Sequence, residues 1–228
     1  MQVDLLEKLK DDTKYYGDFG KEYLSASDVS TLLYQPEKFK EEKKSPEILM
    51  GRYFHQIILE PDKPIKIPIF DSSTRSTKKF KDYLIENDLD KDDVMLLHER
   101  DTMLRCKDKL FSVLEISEII QDTNSKCDIL HEDFVVDLKT TGNAKNFRSS
   151  ARAFCYNSQA YVYELQFKKP MLFVVIDKNT LQVLKAPCSD EFLAYGKQNV
   201  FNATQVYNKY FSKNKTHDIS QHVTEMVL

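Results

Sequence analysis

The chain has 228 residues, a formal net charge of −3, 41% hydrophobic and 30% charged residues, 14 Phe, 12 Tyr and no Trp. That length suits one large domain or two small ones with a sizeable core, and so aromatic a composition excludes a disordered chain. Mean hydropathy is −0.50, and no apolar run approaches the ~20 residues of a membrane-spanning helix.

Residues 1–24 are polar and read as a loose arm or cap, without the basic and apolar regions of a signal peptide, so a cytoplasmic protein is expected. Ser25-Ala-Ser27-Asp28 supplies capping residues before Val29, Leu32 and Leu33, which predicts a short helix starting near Ser27 and interrupted by Pro36. After Pro46, Met50, Tyr53, Phe54, Ile57 and Ile58 recur at helical spacing until Pro61. Residues 62–76 read as loop, and Lys78–Glu86 and Asp90–Ser112 as helices. The β-branched segments Leu114–Gln121, Lys126–Leu130 and Phe134–Thr140, parted by polar turns, predict an antiparallel meander. Phe147–Phe167 reads as helical, Met171–Asp177 and Gln182–Ala186 as strands joined at Lys178-Asn179, and Asp190–Phe211 as a final helix. Strands framed by helices give an α/β (α+β) fold, organised as an arm over 1–24, one domain over 25–212 and a polar tail over 213–228.

Several chemistries are excluded. The five glycines, Gly17, Gly20, Gly51, Gly142 and Gly196, cannot spell a P-loop or a dinucleotide-binding fingerprint. Cys106, Cys127, Cys155 and Cys188 are spaced by 21, 28 and 33 residues, which suits neither a zinc ribbon nor an iron–sulfur cluster. A pI near 6.0 argues against a general nucleic-acid coat but leaves room for one local basic groove.

The segment richest in chemistry is Asp128 followed by Asp137-Leu138-Lys139. Side chains alternate along a strand, so Asp137 and Lys139 share one face while Val136 and Leu138 take the other. A tight hairpin through His131-Glu132-Asp133 would bring Asp128 beside Asp137. Two carboxylates with open oxygens are ligands for a hard cation such as Mg²⁺ or Mn²⁺, and a lysine two residues on can hold a water or stabilise charge on a phosphate. A surface strand of alternating charge would explain the tripeptide equally. His55 lies on the flank of the Met50 helix, one turn after Gly51, which leaves room for close approach; it reads as a ligand or as a boundary histidine. Gln159 and Tyr163 fall one helical turn apart.

Taken together, four segments resemble the PD-(D/E)xK nuclease superfamily. They are Ser25-Ala-Ser27…Pro36, Gly51-Arg-Tyr-Phe-His55 with Leu59-Glu60-Pro61, Asp128 with Asp137-Leu-Lys139-Thr-Thr141, and Gln159-x-x-x-Tyr163. The resemblance is to the exonuclease branch, of lambda type and exonuclease VIII (RecE) type, and runs from about Leu24 to about Val175. Cys127 stands where that family often has proline, and Phe70–Lys109 matches only loosely. The resemblance implies a restriction-endonuclease-like core, a central mixed sheet flanked by helices. It implies one or two Mg²⁺ or Mn²⁺ ions on His55, Asp128, Asp137 and the Leu138 carbonyl, with Glu118 a further acidic position, and no iron–sulfur cluster. Lys139 would serve the attacking water, and Gln159 and Tyr163 would position Lys139 or the DNA backbone.

By the same resemblance the chain would be a DNA exonuclease degrading double-stranded ends 5′ to 3′ for recombination by single-strand annealing. It would act as a homo-oligomeric ring beside an annealing recombinase, without a membrane, encoded by a phage or prophage and working in the host cytoplasm. Arg75, Lys78 and Lys79 open a helix after a Ser/Thr-rich loop, where amides and cations together bind phosphate; Lys145, Arg148 and Arg152 follow the strand of Asp137 and could line the same groove. Both groups also read as solvated helix faces. A single-strand or structure-specific nuclease of the same fold, a non-catalytic DNA-end-binding module and an unrelated α/β scaffold remain alternatives.

Overall fold

The computed structural model describes residues 24–121 and 129–223. They divide into two compact units, a helical one (up to Glu41, Arg148–Met171 and from Cys188) and a sheet-containing one (Glu42–Phe147 and Leu172–Pro187).

In the helical unit, α1 (Ala26–Tyr34) begins at a capping box: Asp28 N–H donates to Ser25 Oγ, and Ser25 N–H to Asp28 Oδ2. Of the capping residues the sequence offers, Ser25 is the cap, and the helix starts at Ala26, one residue before the expected Ser27. Lys40 Nζ closes on the same Asp28 carboxylate at 2.8 Å. Pro36 starts a 3₁₀ turn over Pro36–Lys38. The helical region expected over 147–167 consists of two helices, α6 (Phe147–Ala153) and α7 (Tyr156–Phe167), broken at Cys155, whose φ of 57° is left-handed. The last helix, α8 (Asp190–Tyr210), is capped by Ser189. Val29, Leu32 and Ala203 form the core of this unit, with Phe39, Val200, Tyr207 and Phe211 around them.

The sheet-containing unit opens with α2 (Pro46–Leu59). Ser45 Oγ accepts from Ile48 N–H, and Pro46 takes the first helical position, where its missing N–H costs nothing. Leu49, Tyr53, Phe54, Ile57 and Ile58 are buried, so the apolar stripe is as expected except that Leu49 replaces the half-exposed Met50. Within the expected loop, β1 (Ile69–Phe70) pairs in parallel with β2 (Met95–Leu96). Between them lies α3 (Lys78–Glu86), with the bounds its sequence predicts and Thr77 as its N-cap.

The helix expected from Asp90 starts only at Leu97, as α4 (Leu97–Ser112). Val94, Met95 and Leu96 are all buried, which an extended segment achieves and one face of a helix cannot. Arg75 holds this segment: its guanidinium donates to both Glu99 carboxylate oxygens and to the Val94 carbonyl.

Leu114–Gln121 corrects a second expectation, for it is a helix, α5. Its β-branched composition favours a strand, but Ile116, Ile119 and Ile120 are buried at i, i+3 and i+4, and tertiary packing on that period overrides propensity. The four-stranded sheet follows, in the order β3 (Ile129–Leu130), β4 (Val135–Thr141), β5 (Met171–Asp177), β6 (Val183–Pro187). β3–β4 and β5–β6 are antiparallel. β4 and β5 end side by side, with Lys178 N–H donating to Thr141 O at 2.8 Å, as strands do when a helical crossover returns the chain in the same direction. The architecture is thus a mixed α/β one, as the sequence predicts. Its main core joins α2, α4 and α5 to the sheet through Phe54, Met103, Ile116, Val136, Leu138 and Val174.

Candidate active site

β4 sorts its residues by face. Val136 and Leu138 enter the core; Asp137 and Lys139 occupy the other face, with Lys139 Nζ 2.6 Å from Asp137 Oδ2. The Asp137 side chain is 4% exposed and that of Lys139 17%. The pair is therefore covered at the carboxylate and open at the amine.

His55 arrives from α2. Its Nε2 lies 2.8 Å from the Leu138 carbonyl oxygen. Since a carbonyl only accepts, Nε2 carries the proton in this arrangement. An imidazole nitrogen, a peptide oxygen and a buried carboxylate thus belong to one short stretch of β4 and the helix beside it. The carboxylate and the peptide oxygen are hard donors of the kind Mg²⁺ and Mn²⁺ take, while the imidazole is a borderline donor that would bind a cation only with Nε2 free of its proton. Among the described residues no group of three or more His, Cys, Asp or Glu side chains gathers. Asp128 lies outside the described residues. Beyond it the hairpin pairs Ile129 with Val136 and Leu130 with Val135.

A Cβ at Gly51 would meet nothing within 4 Å among the described residues. Glu118, expected on a strand near Asp128, is exposed on α5. Glu60 is the C-cap of α2 and pairs with Lys63 at 2.6 Å. Gln159 and Tyr163 sit one turn apart on α7 of the helical unit.

The basic residues differ among themselves. Arg75 is engaged in its bidentate contact with Glu99, only 19% and 12% of the two side chains being exposed, and so braces the fold. Lys78 and Lys79 are exposed in the first turn of α3, Lys79 Nζ lying 5.4 Å above the Phe70 ring. Lys145 is exposed on the turn after β4, and Arg148 on α6; Arg152 is half-exposed, 3.6 Å from Glu191.

The sequence reading missed Asp177, which closes β5. Its carboxylate is buried and accepts from the N–H groups of Ala144 (2.7 Å), Asn179 (2.8 Å) and Thr180 (3.1 Å). Burial raises its pKa, but those donors outweigh it and hold the carboxyl below the ordinary value. Asn179 Nδ2 adds a bond to Gly142 O at 2.8 Å. The loop leaving Lys139 is thereby tied to the β5–β6 turn. The available signal was an aspartate ending an otherwise apolar strand. Cys106 offers no nucleophile, since burial pushes its thiol up to about 11.

A crystal structure of a protein from Eubacterium rectale, named as a "putative exonuclease", shares this fold. It superposes with a TM-score of 0.61 over 96% of this chain and 95% of that one, at 16% sequence identity. No family model matches the chain, and no curated protein matches it.

Proposed function

We propose that the chain is a metal-dependent deoxyribonuclease, an exonuclease that hydrolyses phosphodiester bonds from double-stranded DNA ends, 5′ to 3′, in recombination by single-strand annealing. The observation that carries the reading is the Asp137–Lys139 pair on one face of β4 with His55 Nε2 against the Leu138 carbonyl. The fold shared with the Eubacterium rectale protein supports it.

In this reading His55, Asp137, the Leu138 carbonyl and Asp128 hold one or two Mg²⁺ or Mn²⁺ ions. Bound there, the cation supplies charge for the scissile phosphate and acidifies a water. The chain's own groups do the rest. Lys139 presents its ammonium at the open end of the site, where it orients a water or meets charge developing on a phosphate oxygen. Asp137 fixes that amine from below. The Asp177 network holds the strand end in place, and Gln159 and Tyr163 contact the DNA backbone. Lys78, Lys79, Lys145, Arg148 and Arg152 contact phosphates, the sequence-independent part of DNA binding. The partners are duplex ends, further copies of the chain in a ring, and an annealing recombinase.

The test is digestion with Mg²⁺ of linear duplexes labelled at the 5′ or the 3′ end, with single strands and closed circles alongside. Release of label from 5′ ends, with circles intact, is the expected result. Cleavage of single strands alone would move the assignment to a single-strand nuclease, and binding of ends without cleavage to a non-catalytic module.

A further inference from the structure

The helical unit carries an aromatic surface that the proposed chemistry does not use. Phe154 and Tyr34 are 63% and 58% exposed, and Tyr195 55%. Phe154 is the residue before the left-handed Cys155, and its ring lies 5.9 Å from that of Tyr156. Tyr34 closes α1, and burial together with the Cys155 thiol raises the pKa of its hydroxyl. Tyr195 is placed by helix geometry. Glu191, Tyr195 and Asn199 share one face of α8 at spacings of four; Glu191 reaches Arg152 at 3.6 Å and Asn199 Nδ2 reaches Cys155 Sγ at 3.9 Å. Tyr195 lies between them, beside the same junction. Phe154, Tyr34 and Tyr195 are thus exposed, and Tyr156 is half-exposed, on the segments that meet at this junction.

The backbone is strained where the surface is made. A left-handed non-glycine residue costs about 1–2 kcal/mol, and strain of this kind gathers at functional positions. Here it is held by a buried thiol and by Cys155 N–H donating to Arg152 O at 3.0 Å. The break falls just after Phe154, which still donates its N–H to Ser150 O at 2.8 Å and leaves its ring exposed.

Charge names the occupant. Arg148 and Arg152 lie one turn apart on α6 and lead to Phe154, and α6 contains no acidic residue. Arg148 makes no ion pair among the described residues, and Arg152 has only the solvent-facing Glu191. The large exposed side chains at the junction are aromatic, without an exposed aliphatic among them. Guanidinium groups leading to a set of open π-faces are what unstacked bases on a phosphate backbone require.

We propose that Tyr34, Phe154, Tyr156 and Tyr195 form a stacking platform for the unpaired bases of single-stranded nucleic acid, with Arg148 and Arg152 on its phosphates. The choice of ligand rests on the nuclease reading, but the test does not, because binding is measured in EDTA, where no metal-dependent cleavage occurs.

The chain has no Trp, so Phe154→Trp installs a single tryptophan on the surface, excited apart from the tyrosines at the red edge of its absorption. Titration with oligothymidylate of about 16 nucleotides, near the upper site size of one single-strand-binding fold, should quench it, whereas a blunt duplex of equal length should not. Anisotropy with labelled oligonucleotide should show Phe154→Ala and Tyr34→Ala each weakening binding by about 5- to 150-fold, and Arg148→Ala flattening the salt dependence. Circular dichroism should show both aromatic variants folded, since these side chains are exposed. Unchanged oligonucleotide affinity in Phe154→Ala, or equal quenching by duplex, overturns the platform. Sedimentation that shows wild type self-associating and Phe154→Ala monomeric also overturns it, in favour of a contact between copies. Quenching without cleavage in the Mg²⁺ assay would sink the nuclease reading and leave the platform standing.

Discussion

Replacing Gly196 by alanine sets two well-measured effects against each other. In a helix interior alanine is preferred to glycine by about 1 kcal/mol, so propensity alone predicts stabilisation. The structure predicts the opposite. A Cβ at position 196 would lie 2.0 Å from the Asn157 carbonyl oxygen, 2.6 Å from its carbon and 3.0 Å from Tyr161 Cβ. Ordinary contact begins near 3.4 Å, so α7 and α8 must part by more than an ångström, and the obstacle is backbone that no rotamer can clear. Overpacking of this kind costs up to about 3 kcal/mol, leaving roughly 2 kcal/mol of net destabilisation after the helix preference is subtracted. For a chain of this size that lowers Tm by about 4–8 °C. Gly51→Ala in α2 is the control. Its Cβ meets nothing within 4 Å among the described residues, and the same propensity should raise Tm by about 2–4 °C. Thermal unfolding followed by circular dichroism measures both. A Gly196→Ala variant melting at or above wild type would refute the close helix contact.

Four further outcomes are expected. Lys139→Ala should fold and bind Mn²⁺ by calorimetry yet cleave about 10²–10³-fold more slowly, since it removes one preorganised group; unchanged cleavage would return Asp137-Leu138-Lys139 to the status of a charged strand. The double change Asp137→Leu with Lys139→Met should be neutral or stabilising in urea unfolding, as apolar replacement of buried ion pairs often is, and devoid of nuclease activity. Because the Asp177 pKa is lowered in the folded chain, its contribution is present above the unfolded value near ~3.9 and lost as pH falls through the lower folded one; the stability gap between wild type and Asp177→Asn should therefore narrow below about pH 4. Arg75→Ala should cost about 1–3 kcal/mol by leaving Glu99 without its partner while DNA affinity holds, whereas Lys78→Ala with Lys79→Ala should weaken DNA binding and leave stability unchanged.

Where periodicity and caps agree, the elements were legible in the sequence. Lys78–Glu86 and Met171–Asp177 have the bounds read from the sequence. The misreadings have local causes. Leu114–Gln121 was assigned by composition, although its isoleucines already stood at helical spacing. Met95–Leu96 is extended because β1 pairs with it and Arg75 clamps the adjoining carbonyl, both of which depend on residues some twenty positions away. The break at Cys155 carries no glycine or proline to announce it. In the site, Asp137 and Lys139 share a face because strands alternate, which is a local rule, whereas the meeting of His55 with the Leu138 carbonyl spans 83 residues and was reachable only through family resemblance. Asp177 was missed because its partners are backbone amides, which leave no mark on the sequence.

Stability does not explain the ion pair on β4. Burying two charges costs several kcal/mol each, and their attraction repays this only in good geometry. The opposite face of the same strand shows the apolar alternative at work, with Val136 and Leu138 fully buried in the main core. A face built only for packing would continue that pattern. Instead the carboxylate is sealed and the amine is left at the rim. Low local dielectric strengthens every interaction made there, and the open amine is the side from which an anion can arrive. The peptide oxygen between the two charged residues points to His55, so the strand offers acid, carbonyl and amine in three consecutive residues, with the histidine closing on the middle one. Such an arrangement is costly as structure, and Lys139→Ala beside the apolar double variant tests whether it serves the proposed chemistry.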